Sequence, residues 1–243
     1  MKQTSENITT VSETDGTRLA FEPVLPAVSS ARVLVACEYS GTIRDAFAQA
    51  GFDAWSCDLL EAETPGNHYQ GNALDILNEG WDLLIAHPPC TYISYAGTQH
   101  WNNPGRVFQR LEALEFFARL LEAPVKHICV ENPQGCADSV IRKPDQTIHP
   151  YYFGDRQMKR TCLWLKNLPK LVHYEQDNLF NRKTHTDKPE PVYVDKSGKK
   201  RYFTDAINGI NNGGHKRSKS FPGIANAMVN QWSQLVLRSA NGR

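Results

Sequence analysis

Trp81-Asp82-Leu83-Leu84-Ile85-Ala86-His87-Pro88-Pro89-Cys90 is the stretch on which the reading of this chain turns. Leu83 to Ala86 is an unbroken apolar run after a polar start, the pattern of a strand buried on both faces. Two prolines then end it, because a proline nitrogen cannot join a ladder of hydrogen bonds. The strand is predicted to stop at Ala86 or His87, leaving Pro88-Pro89 to hold the next side chain, Cys90, in one pose at the carboxyl edge of a sheet. In open α/β sheets that edge is where ligands bind. A thiol there is either an ordinary buried cysteine or a nucleophile, and the rigid lead-in favours the nucleophile.

Upstream, Arg32–Cys37 is a β-branched run that reads as the first core strand, followed by a turn at Glu38-Tyr39-Ser40-Gly41. Thr42 to Ala50 reads as a helix with Ile43, Phe47 and Ala50 on one face and Gly51 as its stop. Asp53–Cys57 is a second strand, with Asp58 directly after it. Strand, tight turn, helix, strand and acid in that order form the first half of a nucleotide-binding sheet, in which the acid takes ribose hydroxyls. Only Gly41 of the usual GxGxxG is present, which speaks against a dinucleotide pyrophosphate. A cofactor with a ribose and no phosphate fits better, and S-adenosyl-L-methionine is the obvious one, with Glu38 available to its ammonium. Gly71 to Asp75, including Asn72, is a third turn whose side chains could read an adenine edge.

Downstream of Cys90, Thr91–Gly105 is polar, aromatic and aperiodic, and a loop this long beside a candidate nucleophile is commonly a lid or a substrate arm. Val107 to Leu121 returns to helical spacing, with Leu111, Leu114, Phe117, Leu120 and Leu121 on its apolar face. His127–Val130 is a further strand that delivers Glu131-Asn132-Pro133 at its end. A second reactive residue, again followed by proline, thus sits at a second strand end. Arg160–Lys166 alternates as a strand, and Ile224–Leu237 is an amphipathic helix. Between them, 168–222 is rich in proline, glycine and basic residues and is predicted to bury little. Residues 1–30, rich in Ser, Thr and Glu, are expected to form a flexible tail.

The net charge of +1 conceals an asymmetry: residues 1–155 carry −10 and residues 156–243 carry +11. A basic segment attached to an acidic half points to a polyanion such as DNA, although the two halves could also pair with each other. Lys199-Lys200-Arg201 and His215-Lys216-Arg217 are the candidate phosphate contacts. The 6 cysteines include no CxxC pair, and the histidines show no metal-ligand spacing, so no metal is expected. His149, His173 and His185 are read as surface residues and Trp164 and Trp232 as core. No apolar run approaches a membrane span, and the first residues lack the basic-then-apolar pattern of a signal peptide. A soluble, cytoplasmic, monomeric protein with reduced cysteines is expected.

Cys90 after Pro88-Pro89 and Glu131 in Glu-Asn-Pro together resemble the DNA cytosine-5 methyltransferases, more closely their small phage and prophage members. Ala36–Gly41, His87–Cys90, Glu131–Pro133, Lys159–Lys166 and Phe221–Trp232 match that family's elements in order, over about 32–238. The resemblance implies a class I S-adenosylmethionine-dependent methyltransferase (Rossmann-like) α/β sheet spanning 31–167 and 223–243, with 168–222 as a small basic target-recognition region. It implies Cys90 as nucleophile, Glu131 at the pyrimidine ring nitrogen and amino group, and Arg160 supporting the base. Glu38, Tyr39, Ser40, Gly41, Asp58, Leu59, Asn72, Pro88 and Asn226 would surround the cofactor. Two departures stand out. The usual Phe-x-Gly-x-Gly loop is here Cys37-Glu38-Tyr39-Ser40-Gly41, and the large recognition region of restriction-type relatives has no counterpart.

The chemistry holds without the name. Carbon 5 of cytosine becomes nucleophilic once a thiolate adds at carbon 6, an addition helped by an acid that is protonated, or shares a proton, at the ring nitrogen. An amino-group methyltransferase would place Asp, Asn or Ser before Pro-Pro and an aromatic after it, where this chain has His87 and Cys90. A DNA-binding protein on the same scaffold, and an enzyme using a variant donor or base, are the remaining alternatives.

Overall fold

The computed structural model describes residues 31–203 and 219–241. Its centre is a seven-stranded sheet in the order β3-β2-β1-β4-β5-β7-β6. The strands are β1 Arg32–Ala36, β2 Asp53–Asp58, β3 His68–Gln70, β4 Leu83–Ala86, β5 His127–Asn132, β6 Gln146–Ile148 and β7 Thr161–Lys166. β3, β2, β1, β4 and β5 pair in parallel, and β7 runs antiparallel to both β5 and β6. Such a sheet must be covered on both faces, so its central strands are largely apolar. All four residues of β4 are buried.

Alternation divides the core in two. Val33, Val35, Leu83, Ile85 and Cys129 face α1 (Thr42–Gln49) and the C-terminal helix Pro222–Ala240. Leu34, Ala36, Leu84, Ala86 and Val130 face α2 (Arg106–Leu121), with α3 (Ala137–Val140) on the same side. We label the C-terminal helix α4. Trp164 and Trp232 lie fully inside, one in each half, and Phe117 meets Trp164 edge to face at 5.0 Å.

The chain leaves β1 in one direction along the sheet, toward β2, and leaves β4 in the other, toward β5. The crevice at the carboxyl ends of β1 and β4 is therefore the topological switch point, the usual ligand position in such sheets. The loops Cys37–Gly41 and His87–Cys90 flank it. This is the anticipated α/β architecture, a Rossmann-like, mostly parallel sheet with helices on both faces.

Several local expectations are refined. Cys37 is not in β1: its φ of 60° turns the chain out of the ladder. α2 buries its apolar stripe only from Leu114 onward. Leu111 is 58% exposed, because the first turns overhang the core and leave Val107 and Phe108 outside as well. β5 continues through Asn132, so Glu131 lies within the ladder opposite Leu163 rather than after it. The described part of 168–222 packs more than its composition suggests. Leu171 is buried, and Thr184 donates its hydroxyl to the Tyr152 carbonyl at 2.8 Å. The same segment contains a short hairpin of β8 (Tyr193–Val194) and β9 (Lys200–Arg201). The tail expected over 1–30 lies outside the described residues.

Candidate active site

Pro88 and Cys90 leave the sheet where β4 ends, after one last ladder bond from the His87 amide to the Ala36 carbonyl at 2.9 Å. Cys90 is half-buried, and its carbonyl accepts the amides of Ile93 (3.2 Å) and Ser94 (2.9 Å), which folds the following residues into a tight turn. Asn132 reaches across from β5 and donates Nδ2 to the Pro88 carbonyl at 2.7 Å. Beyond it, Cys136 N bonds the Ile93 carbonyl at 2.8 Å and Tyr95 N bonds the Gln134 carbonyl at 3.1 Å. Gly135 makes that approach possible, since a Cβ there would stand 2.1 Å from the Ile93 carbonyl oxygen. The loop carrying Cys90 and the strand end carrying Glu131 are thus braced as one unit.

Glu131 Oε2 lies 3.0 Å from His87 Nδ1. The two residues are on adjacent parallel strands and on one face, one step past the Ala86–Val130 pair. Burial by itself would push the Glu131 carboxyl up. The Lys159 charge and hydrogen bonds from His87 and Thr161 outweigh it and hold the pKa at about 2. In the resting protein this group is a carboxylate, so the proton expected for the ring nitrogen must come from a neighbour. His87, Glu131, Lys159 and Thr161 line a narrow cleft closed by Ile43, Phe221, Ile224 and Met228.

Arg160 is not part of that cleft. It is exposed, and its charge acts instead on His149, whose pKa is lowered first by burial and then by Arg160. Lys159 and Thr161 line the cleft, while Arg160 between them, just ahead of β7, is turned to solvent. The sequence pattern placed a cation at the start of β7 but could not say which of two adjacent ones faces in.

The cofactor-side residues divide similarly. Glu38 is 3% exposed and caps α1, accepting the amides of Ile43 (2.9 Å) and Arg44 (3.2 Å) and the Ser40 hydroxyl (3.4 Å). Gly41 at the N-cap has no side chain to do so, and its φ of 74° with Arg44 and Thr64 pressed against it leaves no room for one. The expected ammonium contact of Glu38 therefore competes with a structural duty. Tyr39 and Ser40 are buried, and the Tyr39 carbonyl accepts Glu63 N at 2.8 Å. Asp58 ends β2 half-buried, with Oδ1 accepting Leu60 N at 3.0 Å, and Leu59 beside it is 74% exposed. Asn72 is exposed and caps a short 3-10 turn over Ala73–Asp75 through Leu74 N. Asn226 points outward from α4, between buried Ala225 and Ala227, and the cleft beside Glu131 is met by Ile224 and Met228 instead.

Among the basic candidates, Lys199 and Lys200 are exposed on the β8–β9 hairpin, while Arg201 pairs with Asp195 at 2.8 Å within it. His215, Lys216 and Arg217 lie outside the described residues. Lys219 pairs with Glu63 at 2.7 Å, so some of the charge asymmetry is answered inside the molecule. His173 and His185 are not simple surface residues: both stack on Tyr152, at 4.4 and 4.7 Å, and they share a 2.8 Å hydrogen bond. Among the described residues, no group of three or more His, Cys, Asp or Glu is arranged to hold a metal ion. No helix among them is long and apolar enough to cross a membrane.

No protein-family model matches the sequence, and no curated protein matches it either. Among solved structures, the chain is similar to a protein described as a DNA modification methyltransferase encoded within an E. coli prophage. That match has 18% identity and a TM-score of 0.40, and covers 75% of this chain and 56% of that one. It is also similar to the Entamoeba histolytica methyltransferase EhMeth, with 12% identity and a TM-score of 0.46, covering 85% of this chain and 99% of that one. The chain therefore spans little more than half the length of the prophage protein.

Proposed function

We propose that the protein transfers a methyl group from S-adenosyl-L-methionine to carbon 5 of cytosine in DNA, through a covalent adduct of Cys90 with a flipped base. The observation that carries this reading is the bracing of Cys90 and Glu131 by the Asn132–Pro88 bond at the carboxyl edge, beside the switch point. In the reaction Cys90 Sγ, as thiolate, adds to carbon 6 and pushes electron density to carbon 5 and the ring nitrogen. Glu131 takes the exocyclic amino group and, once it shares a proton, the ring nitrogen. Carbon 5 takes the methyl group, its proton leaves, and Cys90 is expelled. A base in a duplex must first leave the stack, at a cost of a few kcal/mol.

The residues at the switch point fit the cofactor. Asp58 Oδ1 is occupied by a backbone amide, leaving Oδ2 for ribose hydroxyls, and Asn72 stands at the next turn. S-adenosylmethionine supplies the electrophilic methyl group. Lys199 and Lys200, together with His215, Lys216 and Arg217, are proposed as phosphate contacts of the 168–222 region.

The test is incubation with labelled S-adenosylmethionine and DNA, followed by nucleoside mass analysis for 5-methylcytosine. Cys90→Ser should abolish transfer with cofactor binding nearly intact, and trapping on 5-fluorocytosine DNA should require Cys90. Full turnover by the serine variant would remove the covalent mechanism. DNA binding without any methyl transfer would leave the scaffold-only alternative.

A further inference from the structure

The cytosine reading leaves one step without a source. The ring nitrogen of cytosine is a lone-pair acceptor, and Glu131, held as a carboxylate, is an acceptor too. A proton has to lie between them when Cys90 adds. Three side chains influence Glu131: Lys159 through its charge, and Thr161 and His87 through hydrogen bonds. A threonine hydroxyl is too weak an acid for the task and an ammonium holds its proton too tightly. Imidazole is the side chain whose ordinary titration lies nearest neutral pH, where proton transfer is most effective.

His87 has a second feature that ordinary packing does not explain. Its Nδ1 faces Glu131, but its Nε2 is buried and has no hydrogen-bond partner among the described residues. Buried polar atoms are nearly always paired, so an unpaired one is costly and marks a place where a partner arrives later. The cleft it shares contains Glu131 from β5, Lys159 and Thr161 at the start of β7, and Lys219 ahead of α4, itself paired with Glu63. From α1 and α4 the cleft is lined by apolar Ile43, Ile224 and Met228.

We propose that His87 is the proton store for the addition step, passing a proton through Glu131 to the cytosine ring nitrogen as Cys90 adds to carbon 6. This rests on the cytosine reading. The imidazolium gives its Nδ1 proton to Glu131 Oε2, and Glu131 gives a proton to the ring nitrogen while the sulfur–carbon bond forms and the carbon 5–carbon 6 double bond opens. His87 is left neutral, its remaining proton on Nε2. When Cys90 is eliminated after methylation, the ring nitrogen returns the proton along the same path. His87 acts through Glu131 and is a positioning and proton-supplying residue; the atom that touches the base belongs to Glu131.

The experiment is single-turnover methylation of a cytosine-containing duplex across pH 5.5 to 9 in wild type and His87→Asn. An asparagine amide can still donate to Glu131 from near the Nδ1 position but cannot titrate. The wild-type rate should fall on the alkaline side as the imidazolium is lost. His87→Asn should lose about 10²-fold or more near neutrality, the range for a general acid, and should lack that alkaline fall. Its S-adenosylmethionine affinity should be unchanged. A variant slowed by the same factor at every pH, with the alkaline fall retained, would assign His87 to packing and overturn the proton store, as would a variant with wild-type rates. Imidazole ¹⁵N shifts test the pair without any substrate. Protons on both ring nitrogens near neutral pH, with the Nδ1 proton responding to Glu131→Gln, support the proposal, and an imidazole that carries a single proton there overturns it. A wild type that methylates no cytosine removes the cytosine reading itself, an outcome the ¹⁵N measurement separates from failure of the His87–Glu131 pair.

Discussion

Arg44→Met should destabilise the protein by about 3 kcal/mol, the lower end of the range for breaking a buried ion pair. The Arg44 side chain is 1% exposed, inside the first turn of α1. Its Nε donates to Asp45 Oδ1 at 2.8 Å, and Nη1 to Ser56 Oγ at 3.0 Å. Its Nη2 donates to the Thr64 carbonyl (3.1 Å), the Thr64 hydroxyl (2.6 Å) and the Pro65 carbonyl (3.2 Å). One guanidinium thereby ties α1 to β2 and to the loop 59–66, which begins beside Asp58. Methionine keeps the length of the stem and leaves these acceptors without a donor. The lower end applies because Asp45 is 34% exposed and water can reach it when the pair is lost. At roughly 2–4 °C per kcal/mol for a chain of this size, the melting temperature should drop by about 6–12 °C. Arg44→Lys should fall between, since a single ammonium cannot reproduce the fork. Urea unfolding followed by circular dichroism gives the free energy. A loss below about 1 kcal/mol, the value of an exposed pair, would mean that the guanidinium is hydrated in solution and does not anchor the loop.

Asp58→Ala should weaken S-adenosylmethionine binding by roughly 1.5–3 kcal/mol, the range for a hydrogen bond to a charged group, and unchanged affinity by calorimetry would move the ribose elsewhere. Replacing Lys199, Lys200 and Arg201 together by alanine should flatten the salt dependence of DNA affinity by up to about three contacts, at roughly −0.9 in log–log slope per phosphate on duplex DNA. The thermal midpoint of that variant should barely move, because the Arg201–Asp195 pair is local to a short, largely exposed hairpin. Lost stability with an unchanged slope would instead assign the run to pairing within the protein.

The sequence alone carried the five inner strands, because they are short apolar runs with clear punctuation nearby, such as proline after β4 and glycine after α1, whereas the three-residue edge strands β3 and β6 leave no such signal. It also singled out Cys90 and Glu131 as candidates through Pro88, Pro89 and Pro133, a local signal that needs no partner to be read. The tertiary structure decided what depends on which residues face each other. Lys159 rather than Arg160 stands by Glu131, a choice set by how the chain ahead of β7 enters the sheet and by nothing local to the two residues. Glu38 is committed to capping α1, because Gly41 cannot do it. Arg44 is indistinguishable in sequence from a solvated helix charge until the loop 59–66 folds over it, and its acceptors lie up to 21 positions away. The His87–Glu131 contact spans 44 positions and exists only because β4 and β5 are neighbours in a parallel sheet. Local patterning records where a strand ends and what it delivers there. Protonation states and pairings are properties of distances between segments, and those appear only when the sheet is assembled.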